Sequence, residues 1–323
     1  MKIASLLRVK LSILAGFWGS TVDVTSSYLL RRFEEFGDRP AMSFKDIQYT
    51  YRDLRITTDR YYHQLEESNI QPGDVVCLAS DYSFTTLSVF FALVKRRTIV
   101  VPVTTTVSSE ISDRIRESYA EKVVRLSGDK LQIRNVLDSG ETKHYLIQRL
   151  RDNNAAGLVL FSSGTTGRPK AMIHDLDVLL ESYRDRTRKL SRLLVILLFD
   201  HIGGIDTFVG SLAMGMELVI PESRDPHHIC QLVETHKVQI LPATPTFLNL
   251  ILISGGHKTY DLSSLKTITY GAEPMPESLL VRLKEAFPSA RLLQRFGTSE
   301  TGVPRTISKS SLSTMMRIEE EDQ

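Results

Sequence analysis

The sequence predicts an α/β fold of layered, largely parallel sheets flanked by helices, and three observations carry that expectation. Apolar runs rich in β-branched residues alternate with helical patterns along the chain. Some runs are apolar at every position, as strands covered by helices on both faces must be. Four unusual polar segments each follow an apolar run directly, the placement of ligand loops at the carboxyl ends of parallel strands.

The elements follow in order. Val75-Val76-Cys77-Leu78-Ala79 is a strand introduced by the turn Pro72-Gly73-Asp74, and Ser83 to Lys95 is a helix leading to a second strand, Thr98 to Val103. Asp175 is the N-cap of a helix with Leu176, Leu179, Leu180 and Tyr183 on one face. Arg192 to Phe199 and Val238 to Leu241 read as strands, the latter followed by a helix from Phe247 to Ile253. Lys266 to Tyr270 is a strand, Gly271 to Pro276 a loop, and Pro276 opens a helix with Leu279, Leu280, Leu283 and Phe287 inward. Arg291 to Phe296 is the last strand; Val303 to Gln323 shows no core face and reads as a disordered tail.

Composition narrows the partners. The 323 residues, 42% hydrophobic and 24% charged, suffice for a full core in one large domain or two. A net charge of +2 gives no basis for nucleic acid or an anionic membrane as a partner. Cys77 and Cys230 share no disulfide or metal motif, which points to reduced thiols and a cytoplasmic location. At the N-terminus, Lys2, Arg8 and Lys10 precede Leu11 to Trp18, a pattern that suits a short amphipathic helix better than a signal peptide. No apolar run approaches the ~20 residues that span a bilayer.

The polar segments carry the chemistry. Ser162-Ser163-Gly164-Thr165-Thr166-Gly167-Arg168-Pro169-Lys170 follows the apolar run Gly157 to Phe161. Its glycines let backbone N–H groups approach an anion, its hydroxyls donate to phosphate oxygens, and Lys170 adds a point charge. The spacing is not that of a Walker A loop, and a solvated Gly/Thr loop is the other reading. The remaining three are Asp200-His201-Ile202-Gly203-Gly204, Gly271-Ala272-Glu273-Pro274, and Gly297 to Gly302. On parallel strands all four would share one sheet edge and one crevice. Glu300, beside Thr298 and Ser299, suits either Mg²⁺ or a helix N-terminus. His201 either contacts a reacting group or is a satisfied histidine. Phe296 and Tyr270 either stack on a ligand or, the reading favoured here, belong to the core. No Gly-x-Ser-x-Gly elbow argues for a serine hydrolase.

The Ser162–Lys170 nonapeptide closely resembles the phosphate-binding signature of AMP-forming adenylating enzymes, the superfamily of acyl-CoA synthetases, luciferases and peptide-synthetase adenylation domains. Phe36 to Ala41, Thr50 to Leu54, Leu198 to Gly204, Leu241 to Thr246, Tyr270 to Pro274 and Phe296 to Glu300 resemble further motifs of that superfamily, in its order. The resemblance implies the fold of its large N-terminal domain over residues 25–302, after an N-terminal extension at 1–24. It also implies that Ser162, Ser163, Gly164, Thr165, Thr166, Gly167 and Lys170 grip the ATP phosphates. Ala272, Glu273, Pro274, Arg295, Phe296, Gly297, Thr298 and Ser299 would line the AMP site, Glu300 would bind Mg²⁺, and His201 would lie near the substrate carboxylate. Lys170, His201 and Glu300 would then be the catalytic set.

The implied reaction is ATP-dependent activation of a carboxylic acid as acyl-AMP, followed by transfer to CoA. The apolar flavour is closer to fatty-acid or other acyl-CoA ligases than to amino-acid adenylation domains. Nothing after Gly302 matches the family's ribose-binding Asp, hinge or small C-terminal domain with its catalytic Lys. The expectation is therefore a truncated member with impaired activity, which a C-terminal domain acting in trans could restore. A non-catalytic nucleotide- or acyl-binding module and an inactive fragment are the alternatives.

Overall fold

The computed structural model describes residues 25–136, 144–162, 170–295, 306–308 and 316–318. Helix α1 (Thr25–Phe36) precedes a hairpin of β1 (Pro40–Phe44) and β2 (Ile47–Thr50). Its tip residues Lys45 and Asp46 both take positive φ, the twist that a two-residue hairpin turn requires. Thr50 starts α2 (Tyr51–Glu67) with a capping box: its hydroxyl accepts from the Asp53 N–H while the Asp53 carboxylate accepts from the Thr50 N–H. The chain continues through β3 (Val75–Ala79), α3 (Phe84–Lys95), β4 (Ile99–Val103), α4 (Ser108–Glu117), β5 (Lys122–Ser127), β6 (Lys130–Asn135), α5 (Tyr145–Asp152) and β7 (Gly157–Ser162). There follow β8 (Lys170–Asp175), α6 (Leu176–Glu181), β9 (Arg192–Leu194), α7 (Ile202–Ala213), β10 (Glu217–Ile220), α8 (Pro226–His236), β11 (Ile240–Ala243) and α9 (Pro245–Ser254). The last elements are α10 (Gly256–Thr259), β12 (Thr267–Tyr270), α11 (Glu277–Ala286), β13 (Arg291–Gln294), β14 (Thr306–Ser308) and β15 (Met316–Ile318).

The strands form two large sheets. The first runs β13-β12-β11-β9-β10-β1-β2, parallel except at the β1–β2 hairpin. The second runs β6-β5-β3-β4-β7-β8, with parallel central pairs and an antiparallel hairpin at each edge. Residues along a strand face opposite sides in alternation, and the core clusters follow that period. Val76 and Leu78 of β3 join a cluster shared with Leu193 of β9 and Leu218 of β10, so one core lies between the two sheets. Their neighbours Val75 and Cys77 pack outward with Ile111 of α4 and Ile147 of α5. Leu194 and Val219 pack on the other outer face with α8, α9 and α11. The layers therefore alternate helix, sheet, helix, sheet, helix. Helix α3 sits in the middle layer, with every residue from Phe84 to Val94 buried, and its apolar sequence has no polar face to offer water.

Three elements differ from the sequence-based expectation. The run Arg192 to Phe199 is a strand only to Leu194. Beyond it the Ile196 carbonyl accepts from the Arg224 side chain instead of a ladder partner, although Val195, Ile196 and Phe199 stay buried. Strand β11 begins at Ile240 and runs to Ala243, later than the Val238 to Leu241 run, because α8 ends in a left-handed cap at Lys237. Within the expected tail, β14 pairs antiparallel with β15, so that Ile307 stands opposite Arg317. The helices capped at Ser83 and Asp175 and the helix after Pro276 stand as expected. Among the described residues, no helix is long and apolar enough to cross a membrane.

Candidate functional site

The phosphate-loop segment turns out to be the connection of a hairpin. Ser162 ends β7, Lys170 starts β8, and the two residues are register partners. Lys170 is exposed at the base of that connection. Ser163, Gly164, Thr165, Thr166 and Gly167 lie outside the described residues, as do Phe296, Gly297, Thr298, Ser299 and Glu300.

The four polar segments do not share one sheet edge. Ser162 belongs to the second sheet, while the segments after β9, β12 and β13 belong to the first. The carboxyl ends of the two sheets nevertheless meet. Thr104, just after β4, donates its N–H and its hydroxyl to Asp200 Oδ2, at 3.2 and 2.9 Å. Arg224, after β10, pairs with Asp81, after β3, at 3.0 Å. Each contact joins one sheet to the other.

His201 is the N-cap of α7, yet its side chain makes no capping hydrogen bond. The ring is 53% exposed, and its Nε2 lies 4.0 Å from Oδ1 of the buried Asp200. The glycines after it have different duties. A Cβ on Gly204 would stand 1.9 Å from the Leu198 carbonyl oxygen, so glycine there is required by the chain's own packing rather than by a ligand. A Cβ on Gly203 would meet only the Leu197 side chain, at 3.6 Å. Beneath this corner Tyr82, Phe90, Phe199 and Phe208 form an aromatic cluster with centroids 5.1 to 6.0 Å apart, edge-to-face except for the tilted Phe199–Phe208 pair. Burial pushes the Tyr82 hydroxyl well above its ordinary pKa, and nearby Asp81 pushes in the same direction.

The Gly271 and Arg295 segments touch directly. The Arg295 N–H donates to the Tyr270 carbonyl at 2.7 Å, and a Cβ on Gly271 would stand 2.4 Å from the Arg295 carbonyl oxygen. Ala272 takes φ +67°, a left-handed turn between Gly271 and Pro274. Glu273 is anchored at the N-terminus of α9, where its carboxylate accepts from the Thr246 N–H and hydroxyl, at 3.1 and 2.6 Å. Tyr270 is buried, as the core reading required, and desolvation raises its pKa. Arg295 is exposed, and its charge reaches the Tyr183 hydroxyl that donates to Asp206 of α7.

Sequence reasoning missed Thr104, Asp81, Tyr82 and Arg224. Thr104 was findable by the rule that found the others, since Thr104-Thr105-Thr106 is a polar run directly after an apolar strand. An open cavity of about 350 Å³ lies beside the Arg224–Asp81 pair, lined by Lys45, Tyr82, Val195 and Glu222 among others. It contains none of the residues singled out from sequence. Among the described residues, no group of three or more His, Cys, Asp or Glu is placed to hold a metal ion.

A family model described as AMP-binding enzyme matches residues 29–320. The chain is 25% identical to a 4-coumarate–CoA ligase of Humulus lupulus over 320 residues, which is 85% of this chain and 57% of that protein. It is 23% identical to the 2-succinylbenzoate–CoA ligase of Bacillus pumilus, covering 85% of this chain and 59% of the relative. The chain thus spans about three fifths of the length of these two relatives. Among solved structures, the luciferase-like enzyme of the mealworm Zophobas morio superposes with a TM-score of 0.72 at 21% identity, covering 89% of this chain and 75% of that one. The N-terminal domain of FACL13 from Mycobacterium tuberculosis superposes at 0.68 and 20% identity, covering 85% and 76%. At such identities the superpositions speak for the fold.

Proposed function

Because the chain belongs to the AMP-binding enzyme family, we propose that it activates a carboxylic acid with ATP as the acyl-AMP, releasing pyrophosphate, and that the acyl group then passes to CoA. The observation that carries this reading is the convergence of the two sheets' carboxyl ends. The base of the Ser162–Lys170 connection follows β7 of the second sheet, while the Asp200–His201 corner and the Gly271–Arg295 contact follow strands of the first.

The chemistry suits these groups. A carboxylate is a nucleophile at neutral pH and attacks the α-phosphorus without a general base. The barrier lies in bringing two anions together in line, so positive charge and positioning are what the protein must supply. Lys170 and the backbone N–H groups of residues 162–167 hold the phosphates. The Ala272-Glu273-Pro274 turn, Arg295 and residues 296–299 hold the adenosine side, and His201 holds the acid's carboxylate. Glu300, flanked by the oxygen donors Thr298 and Ser299, would hold Mg²⁺, which supplies charge neutralisation at the phosphates. For the acid we favour a fatty acid ahead of the acids in the relatives' names, on the apolar character of the segments that match the family.

The test is mass spectrometry of acyl-AMP formed by the full chain from Mg-ATP and carboxylic acids of increasing chain length. A chain-length-dependent product that falls by about 100-fold or more in Lys170→Ala and Glu300→Ala supports the reading. No acyl-AMP with any acid, while Mg-ATP still binds, would leave a nucleotide-binding module in its place.

A further inference from the structure

Asp200 is the one residue of the His201 corner that is both charged and buried, with its side chain 6% exposed. Its two oxygens are treated differently. Oδ2 takes both donors of Thr104, which fixes the carboxylate across the seam between the sheets. Oδ1 is buried with no hydrogen-bond partner among the described residues. A buried carboxylate oxygen without a donor costs stability, and such atoms call for an explanation. A candidate donor is the neighbouring imidazole, whose Nε2 stands 4.0 Å away. Nothing in the capping geometry of α7 claims that ring, since His201 caps the helix through its backbone alone.

We propose that Asp200 is a positioning residue for His201: its Oδ1 accepts the Nε2–H of the imidazole when the ring engages a ligand, while Thr104 holds Oδ2 from the opposite sheet. The distance closes by a modest side-chain rotation of His201, which is half-exposed and free to turn, whereas Asp200 is anchored. Committing Nε2 to Asp200 leaves Nδ1 as the ring nitrogen available to the ligand. The seam between the sheets thereby becomes part of the site, since Thr104 sets the angle of Asp200 and Asp200 sets the ring. This deepens the adenylation reading and rests on it only for the identity of the ligand.

The experiment has two arms on the full chain. The first follows the His201 side-chain Nε2 proton by NMR in the presence of Mg-ATP and hexadecanoate, assigned by its loss in His201→Gln. A proton protected from exchange in the wild type and lost in Asp200→Ala is expected. The second measures acyl-AMP formation. Asp200→Ala lowers kcat by up to about 100-fold, the scale of a misplaced group, with the KM for ATP unchanged. Asp200→Glu restores part of the loss, and Asp200→Ala combined with His201→Gln is no worse than His201→Gln alone. Should Asp200→Ala not fold, Thr104→Val takes its place, with a weakened but assignable proton signal expected. A His201 proton indifferent to Asp200→Ala or Thr104→Val would overturn the proposal, as would losses that simply add in the double variant. A wild type that forms no acyl-AMP contradicts the adenylation reading alone, because the proton arm still decides the pairing.

Discussion

Thr104 and Asp200 stand 96 positions apart in the chain, yet the Thr104 N–H and hydroxyl both donate to Asp200 Oδ2. The pair joins the end of β4 in one sheet to the corner before α7 in the other. Removing the hydroxyl leaves a buried carboxylate with one donor fewer. Hydrogen bonds to charged groups contribute about 1.5–3 kcal/mol. Thr104→Val is expected to lose about 2 kcal/mol in urea denaturation, and a loss indistinguishable from zero would show that the seam does not depend on this contact.

Gly203 and Gly204 provide an internal control. Alanine at 204 would drive a methyl to 1.9 Å from the Leu198 carbonyl oxygen, and a fixed backbone atom cannot step aside. A destabilisation of about 4 kcal/mol or more is expected, enough to unfold a marginally stable protein. Alanine at 203 meets the Leu197 side chain at ordinary van der Waals distance and gains helix propensity, so it should be neutral or stabilising by up to about 1 kcal/mol. Thermal melts of the two variants separate these outcomes; equal effects would contradict the assigned packing.

Burial also fixes a pH dependence. It pushes the Cys77 thiol up to about 12 and the Cys230 thiol up to about 11. Tyr51, Tyr82 and Tyr183 are likewise raised well above the ordinary phenol value, chiefly by desolvation. A group whose folded-state pKa is raised contributes stability that is intact below its unfolded value and is lost as pH climbs toward the folded one. Folding stability should therefore fall steadily from about pH 9 upward, the ordinary thiol value. Both thiols should resist labelling at pH 8 until the chain is unfolded. Rapid labelling of the native protein would contradict the buried placement.

The contact between Gly271 and Arg295 separates binding from folding. Gly271→Ala forces the turn away from the Arg295 carbonyl, which a Cβ would approach to 2.4 Å. On the adenylation reading the KM for ATP rises by about tenfold or more, because the displaced turn holds the adenosine side. The KM for the acid should stay put. A change in the acid's KM instead would move this loop to the acyl pocket.

The parts of the fold legible in the sequence are those where burial and pairing agree. Val75 to Ala79 and Ile99 to Val103 are apolar throughout because both of their faces are covered, and they are strands. Where burial and pairing part company, the apolar run misleads: Val195, Ile196 and Phe199 are core without being strand. The reverse holds for β8, Lys-Ala-Met-Ile-His-Asp, which pairs with β7 at every position but has no apolar run to announce it. The seam was invisible for a different reason. Its partners lie 96 and 143 positions apart, and neither Thr104 nor Arg224 stands in a pattern that names its partner. The polar segments could be found one at a time, but their division between two sheets depends on strand order, which local sequence does not encode.

If two sheet edges build one nucleotide crevice, Mg-ATP slows hydrogen exchange together at residues 162–170, at 271–274 and at 295–300, segments drawn from both sheets. Protection confined to one sheet's segments, or appearing instead around Lys45, Glu222 and Arg224, would contradict it.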